Sequence, residues 1–109
     1  MTREEFAGVV ASIGLPAAYY QFEEGTDQAP PFICYFYTGR TDFFADSRNY
    51  SHIAEAIVEL YTETKDPEAE AMVETALEEA GLTYTTNEAA IESEKLYQVA
   101  YTMEVLLNE

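Results

Sequence analysis

The chain has few of the residues that most often carry chemistry. Its 109 residues include no tryptophan, one cysteine and one histidine. One cysteine cannot form an intramolecular disulfide, and one cysteine with one histidine cannot build a four-ligand zinc site. Free cysteines are among the most buried residues. We therefore expect a reducing compartment, Cys34 as a small core residue and His52 on a strand near the surface.

Basic residues are also scarce, since 5 lysines and arginines stand against 21 acids and the formal net charge is -16. Contacts with phosphate need clustered Lys and Arg, so we expect neither direct nucleic-acid binding nor binding to an anionic membrane. No apolar run approaches the roughly 20 residues of a membrane span. The start, "MTREEFAGVV", carries acids where an export signal carries bases, so we expect a cytoplasmic protein.

Motifs of catalysis are missing as well. The sequence holds no Gly-rich phosphate loop, no G-x-S-x-G and no H-E-x-x-H. Cys34 and His52 are formally a nucleophile pair, but burial of the cysteine is the stronger interpretation. The carboxylates of Glu70, Glu74 and Glu78 recur on one helix face, which a solvated surface explains. We expect no enzyme, no cofactor and no metal site.

Two helices are indicated by their caps. Thr2 and Glu5 form a capping box before apolar residues at helical spacing, and Gly14 ends the run, which predicts a helix over 3–13. Asp66-Pro67 is a strong helix start and Gly81 a stop, which predicts a second helix through Ala80.

The rest of the chain reads mainly as strands. Residues 50–62 match both a helical and an alternating pattern, and their ending "IVELYT" favours a strand. With two helices and mainly antiparallel strands, we predict one α+β domain over 1–109 in the order α-β-β-(β)-β-α-β-β. The predicted strands are Ala17–Glu24, Phe32–Thr38, a short one at Phe43–Ala45, 50–62, Leu82–Thr86, a brief one at Ala90–Glu92, and Lys95–Leu107.

Nine tyrosines and six phenylalanines are the most informative surplus. Tyr19 and Tyr20 are consecutive, as are Phe43 and Phe44, so the members of each pair face opposite sides of a strand. One member of each pair is then exposed, covered by a partner, or covered by a loop or helix of the same chain. Aromatic residues are enriched at interface centres, so these four are candidates for an oligomer interface.

Two of the few bases, Arg40 and Arg48, bracket the segment "TDFFAD". Such a basic-aromatic segment can dock onto the acidic helix of another copy, a head-to-tail contact that generates rings or filaments. Surface pairing of the arginines with Asp42 and Asp46 explains them equally well. Arg40 and Arg48 join the four aromatic residues as interface candidates.

Several segments in order resemble one known family. They are "GLPAAYYQFEEG", "PPFICYFYTG", "DFFADSRNY", "VELYTETKDPEAE" and "IESEKLYQVAYTMEV". Together they resemble the small tail-completion, or tail-terminator, proteins of long-tailed bacteriophages and prophages of Gram-positive hosts. The most specific parts are the "ELYTETKDPE" junction and the closing strand. Ala54 and Ala56 depart from the pattern because they weaken β propensity.

The resemblance implies a virion structural protein with an α+β fold and no cofactor. Similar proteins form rings, commonly of six copies, that stop growth of the tail tube at its head-proximal end and offer a surface to the head connector. They assemble in the host cytoplasm and end in the virion tail. A ring lined with acids would let DNA slide without sticking. The alternative is an acidic DNA mimic that inhibits a DNA-binding host protein, which the spread of acids over loops and one helix disfavours.

Overall fold

The protein folds as two helices on one side of a five-stranded sheet. The computed structural model describes residues 1–23, 25, 27–45 and 48–108, and within these the side chains outside 43–51. The fold class is α+β, as predicted. The elements are α1 (Arg3–Ala11), β1 (Ala17–Tyr19), β2 (Phe32–Ala45), β3 (Arg48–Thr62), α2 (Pro67–Glu79), β4 (Tyr84–Ile91) and β5 (Leu96–Leu107).

The sheet has the order β1-β2-β3-β5-β4. All neighbours are antiparallel except the short β1, which runs parallel to β2. The central strands β3 and β5 pair over their whole common length, from His52–Leu107 to Thr62–Tyr97. β3 pairs with β5 and not with β4, the next strand in the chain. α2 therefore forms the crossover from β3 to β4 and carries the chain over one face of the sheet.

Both helices begin at the predicted caps. Thr2 Oγ1 accepts from the Glu5 backbone N–H at 3.0 Å, and Glu5 Oε1 accepts from the Thr2 N–H at 2.9 Å. Asp66 Oδ1 accepts from the Ala69 N–H at 3.1 Å, one turn into α2. The prediction for α1 is two residues too long, because the chain tightens after Ala11 toward Gly14, whose φ is +92°.

Three of the strand predictions, which were based on local sequence signals, have the wrong boundaries. The first predicted strand stops at Tyr19, because Tyr20 adopts a φ of +70°. β2 does not end at Thr38. β2 has a bulge between Tyr37 and Gly39 and continues to Ala45. The separate strand predicted at Phe43–Ala45 is therefore part of β2. Likewise, the two short strands predicted between Leu82 and Glu92 are one strand, β4.

The ambiguous segment 50–62 is a strand, as predicted, and begins at Arg48. Ala54 and Ala56, which weaken β propensity, are 2% and 0% exposed. Burial beneath the helices outweighs propensity here, because β propensity chiefly reports packing.

One continuous core lies between the helices and the sheet. Its side chains come from α1, α2 and alternate positions of β2, β3 and β5, which satisfies the period of two along each strand. The largest fully buried side chains are Tyr101, Phe6, Ile33, Leu60, Leu77, Leu107, Val10, Val58, Val73, Val99 and Val105. None of the helices in the described part of the chain is long and apolar enough to cross a membrane.

β2 and β3 continue beyond the last pair that β3 forms with β5. Residues 43–45 and 48–51 therefore pair only with one another, as a two-stranded extension that we call the arm. The molecule measures 51 × 29 × 22 Å, and its radius of gyration is 15.0 Å. A compact domain of about 100 residues has a radius of gyration of about 13 Å. The elongation follows the arm and the long strands at its base.

Candidate interaction surface

The sheet face opposite the helices has no cover from any described helix. Alternate residues of every strand point to this side, and its centre mixes half-buried apolar side chains with polar ones. Antiparallel sheets often present one polar face to water, but this face is only partly polar. We call it the open face. Its described residues on the three central strands are Phe32, Cys34, Phe36, Thr38, Thr41, Ile53, Glu55, Ile57, Glu59, Tyr61, Leu96, Gln98, Ala100, Thr102, Glu104 and Leu106.

Two carboxylates lie directly opposite each other in the middle of the open face. Glu55 on β3 and Glu104 on β5 are cross-strand partners, and both are exposed. Like charges directly opposite on adjacent strands are destabilising. Thr38 Oγ1 donates to Glu55 Oε1 at 2.6 Å, but the ion pairs among described side chains involve neither glutamate. The sheet therefore carries an uncompensated pair of negative charges on its uncovered side.

A shallow groove lies on each side of this pair. One, of about 330 Å³, runs toward β2 and is lined, besides the two glutamates, by Thr38, Gly39, Arg40, Thr41 and Ile53. The guanidinium of Arg40 is bound to Asp42 rather than to either glutamate of the pair. The other, of about 460 Å³, runs toward β4 past Thr102. Both grooves are open, so the carboxylates form a ridge between two depressions.

A half-buried polar network stands further along the same face. Tyr61 donates its hydroxyl to Glu59 Oε1 at 2.9 Å, and Gln98 Nε2 donates to Glu59 Oε2 at 3.1 Å and to the Tyr61 hydroxyl oxygen at 2.9 Å. Phe32 stacks on the Tyr61 ring with centroids 5.0 Å apart. Burial, with the Glu59 carboxylate beside it, raises the pKa of Tyr61 to about 12, although the hydrogen bond from Gln98 opposes the rise.

Cys34 and His52 lie too far apart to act as a nucleophile pair. Cys34 is buried opposite Glu59, whereas His52 lies opposite Asp42, and His52 Nδ1 is 3.1 Å from Asp42 Oδ2. Eight residues of β2 separate the two positions, which is roughly 26 Å of strand. Burial, and then the charge of Glu59, raises the pKa of the Cys34 thiol, so it stays protonated at neutral pH. The predicted burial of Cys34 is confirmed, but the residue lies on the open face, outside the core cluster beneath the helices.

The spacing of Glu70, Glu74 and Glu78 predicted a solvated face of α2, but Glu70 and Glu74 are half-buried and only Glu78 of the three is exposed. Glu70 accepts from Lys65 Nζ at 2.9 Å. Glu74 accepts from the hydroxyl of the buried Tyr101 at 2.9 Å, and Glu78 from the hydroxyl of Tyr84 at 2.6 Å. Each of the three carboxylates therefore accepts a hydrogen bond from another side chain of the same chain. The spacing of the acids did not identify these donors: Lys65 and Tyr84 lie five and six residues from their acids, and Tyr101 lies 27 residues away on β5.

Because basic residues are scarce, tyrosine hydroxyls are the hydrogen-bond donors to several of the carboxylates. Besides the pairs on α2, the Tyr97 hydroxyl donates to Glu88 at 2.7 Å, where Lys65 also binds. The hydrogen bond to Glu78 raises the pKa of Tyr84 to about 12. Burial, and then Glu74, raises the pKa of Tyr101. The abundance of tyrosine was the sequence signal for this role, but it did not identify the partners.

These raised pKa values predict unfolding in alkali. The pKa of Tyr61 rises from 10.0 to about 12 on folding, so between these pH values the unfolded state loses protons that the folded state keeps. We expect full stability below pH 10 and a progressive loss as the pH rises through 12. Near-UV circular dichroism and tyrosinate absorbance against pH measure it. Tyr61→Phe should flatten the loss, Tyr20→Phe should not, and equal curves for both would contradict the assignment.

The six interface candidates are placed as follows. Tyr19 and Tyr20 are 56% and 66% exposed on opposite sides of the sheet, since Tyr19 contacts the Tyr35 ring and Tyr20 contacts Phe36. Arg40 binds Asp42 through two contacts, Nε–Oδ1 at 2.9 Å and Nη2–Oδ2 at 3.2 Å, which is the surface pairing considered above. The side chains of the other three candidates lie outside the described residues. They are Phe43, Phe44 and Arg48, and the predicted partner Asp46 lies outside as well.

The described side chains form no cluster of three metal-ligating residues. A scan of the sequence against protein-family models found no match, and a search among curated proteins found none either.

Proposed function

We propose that the protein is a virion structural protein of tail completion. It caps the head-proximal end of a phage tail tube and offers the surface to which the head connector joins. The observation that carries the proposal is the open face, a partly apolar sheet surface that no described helix covers, although Tyr20 and Phe22 pack on its β2 edge. Large partly apolar surfaces on a folded domain mark interaction sites. The sequence resemblance supplies the identity of the neighbours.

Assembly into a ring, commonly of six copies, belongs to the same proposal. The arm and its base supply a projecting element of the kind that reaches a neighbouring copy, and four of the six candidates lie there or at its base: Arg40, Phe43, Phe44 and Arg48. A head-to-tail contact of this kind generates a ring when the rotation between neighbouring copies closes, and a filament otherwise. The net charge of -16 supports a lumen that repels DNA phosphates, with no cofactor and no direct nucleic-acid binding.

Tail tubes polymerised with and without the purified protein test the proposal. We expect negative-stain images of capped, length-limited tubes and ring particles by light scattering, with Arg40→Glu/Arg48→Glu giving a folded monomer that no longer caps. Arg40→Glu and Arg48→Glu are also tested singly. Lys95→Glu is their matched control, since it makes the same charge change on an exposed turn. Uncapped tubes with the wild-type protein would refute the function. Unimpaired capping by the double reversal would refute only the role of the arginines.

The DNA-mimic alternative is less well supported. Three acids on α2 are occupied by internal donors, and the acids of the open face lie among apolar side chains. A mimic needs free acids spaced like phosphates. Binding to a DNA-binding host protein that duplex DNA competes away, together with failure to cap tubes, would favour the mimic.

A further inference from the structure

The open face shows what kind of partner covers it. We infer that it docks a cationic segment of another protein, in which lysines or arginines are interspersed with apolar residues. This inference deepens the proposed function and rests on it only for the identity of the neighbour. The chemistry of the segment follows from the described residues alone.

The apolar side chains of the open face set the first requirement that a partner must meet. Phe36, Ile57 and Ala100 lie half-buried on three adjacent strands, and Leu106 is 55% exposed at the end of β5. No described helix lies over them. Removing such area from water is favourable by about 25 cal/mol per Å². A partner therefore gains by placing apolar side chains on the sheet.

The charges of the face set the second requirement. Among the described side chains that the central strands direct to this face, the charged ones are the acids Glu55, Glu59 and Glu104. Arg40 reaches the edge of one groove but is bound to Asp42. The directly opposed Glu55 and Glu104 repel each other across the strands and are exposed between two grooves. A cationic group placed between them removes this repulsion, whereas an anionic or purely apolar partner worsens it. Complementary charge of this kind selects the partner and speeds its approach.

A second copy does not meet the second requirement. Two open faces brought together would oppose six carboxylates, and each chain already has a net charge of -16. Two of the described bases are engaged with their own acids: Arg40 binds Asp42, and Lys65 binds Glu70 and Glu88. Because those contacts neutralise the bases, another copy offers a poor cationic surface there. The arm contact proposed for the ring is directed at the acidic helix of a neighbouring copy, so the occupant of the open face is a segment of a different protein.

The test uses a strand-length peptide that alternates lysine with valine, and the same peptide with glutamate for lysine. Binding to the ¹⁵N-labelled full chain is followed by amide chemical shifts at two salt concentrations. We expect the lysine peptide alone to bind, to perturb amides of β3 and β5, and to weaken with salt. Glu55→Gln/Glu104→Gln should lower its affinity about tenfold, since two exposed charge pairs contribute about 0.2–1 kcal/mol each.

The matched control is Glu68→Gln/Glu79→Gln, which removes the same charge from exposed positions of α2 on the other side of the sheet. It should leave the affinity within about twofold, a free-energy change below about 0.5 kcal/mol. No binding, equal weakening by both double variants, or perturbation confined to α2 would overturn the inference. Self-association of the unliganded chain through β3 and β5 would also overturn it, with a second copy as the occupant. Tube capping without peptide binding would leave the proposed function standing, and peptide binding without capping would leave the docking surface.

Discussion

Phe6→Ala is expected to lower the free energy of unfolding by about 3–5 kcal/mol, the usual cost of removing a buried aromatic ring. Phe6 is 0% exposed in α1 and packs against two rings of β2, with centroids 6.0 Å from Tyr35 and 5.9 Å from Tyr37. A domain of this kind is stable by only about 5–15 kcal/mol, so the loss is a large share of the total. Urea denaturation followed by circular dichroism measures it.

Leu106→Ala is the control for that substitution. Leu106 is the large apolar residue of the open face that is 55% exposed, so its truncation should change the free energy of unfolding by no more than about 0.5 kcal/mol. Similar losses for both variants would mean that the two faces of the sheet are equally covered. Two large losses would contradict the open face, and two small losses would contradict the place of Phe6 in the core.

Ala56→Leu is expected to cost about 1–3 kcal/mol, although leucine is the more hydrophobic residue, because added methyl groups overpack a filled core. Ala56 is 0% exposed and lies between its cross-strand partners Tyr37 and Met103, on the face that the helices cover. The small side chain leaves room for these two large neighbours. Thermal and urea unfolding of the variant measure the cost.

Ala100→Leu makes the same chemical change on the opposite face. Ala100 is half-buried on β5, with Glu59 and Asn87 as cross-strand partners and no described helix above it. We expect its unfolding free energy to stay within about 0.5 kcal/mol of the wild type. A gain for Ala56→Leu, or an equal loss for both variants, would show that Ala56 has free space beside it.

Local signals in the sequence predicted the parts of the fold that depend on neighbouring residues. The caps at Thr2 and Asp66 fixed both helix starts, because a cap and its N–H partner are three residues apart. Alternation over Lys95–Leu107 predicted β5 almost to its ends. Breaker residues were less reliable. Gly39 ended a predicted strand that in the structure passes through it as a bulge.

What the sequence by itself determined was the fold class, the helix starts and the alternating core positions, along with a shortage of bases that disfavours phosphate binding. Tertiary structure alone decided which carboxylates have a buried donor and which stand opposite another carboxylate. Glu74 is occupied because Tyr101 reaches it from 27 residues away, whereas Glu55 faces Glu104. It also decided that both helices lie on one side of the sheet. Periodicity and capping act within a few residues, but cover and charge pairing depend on distant segments that meet only when the layers pack.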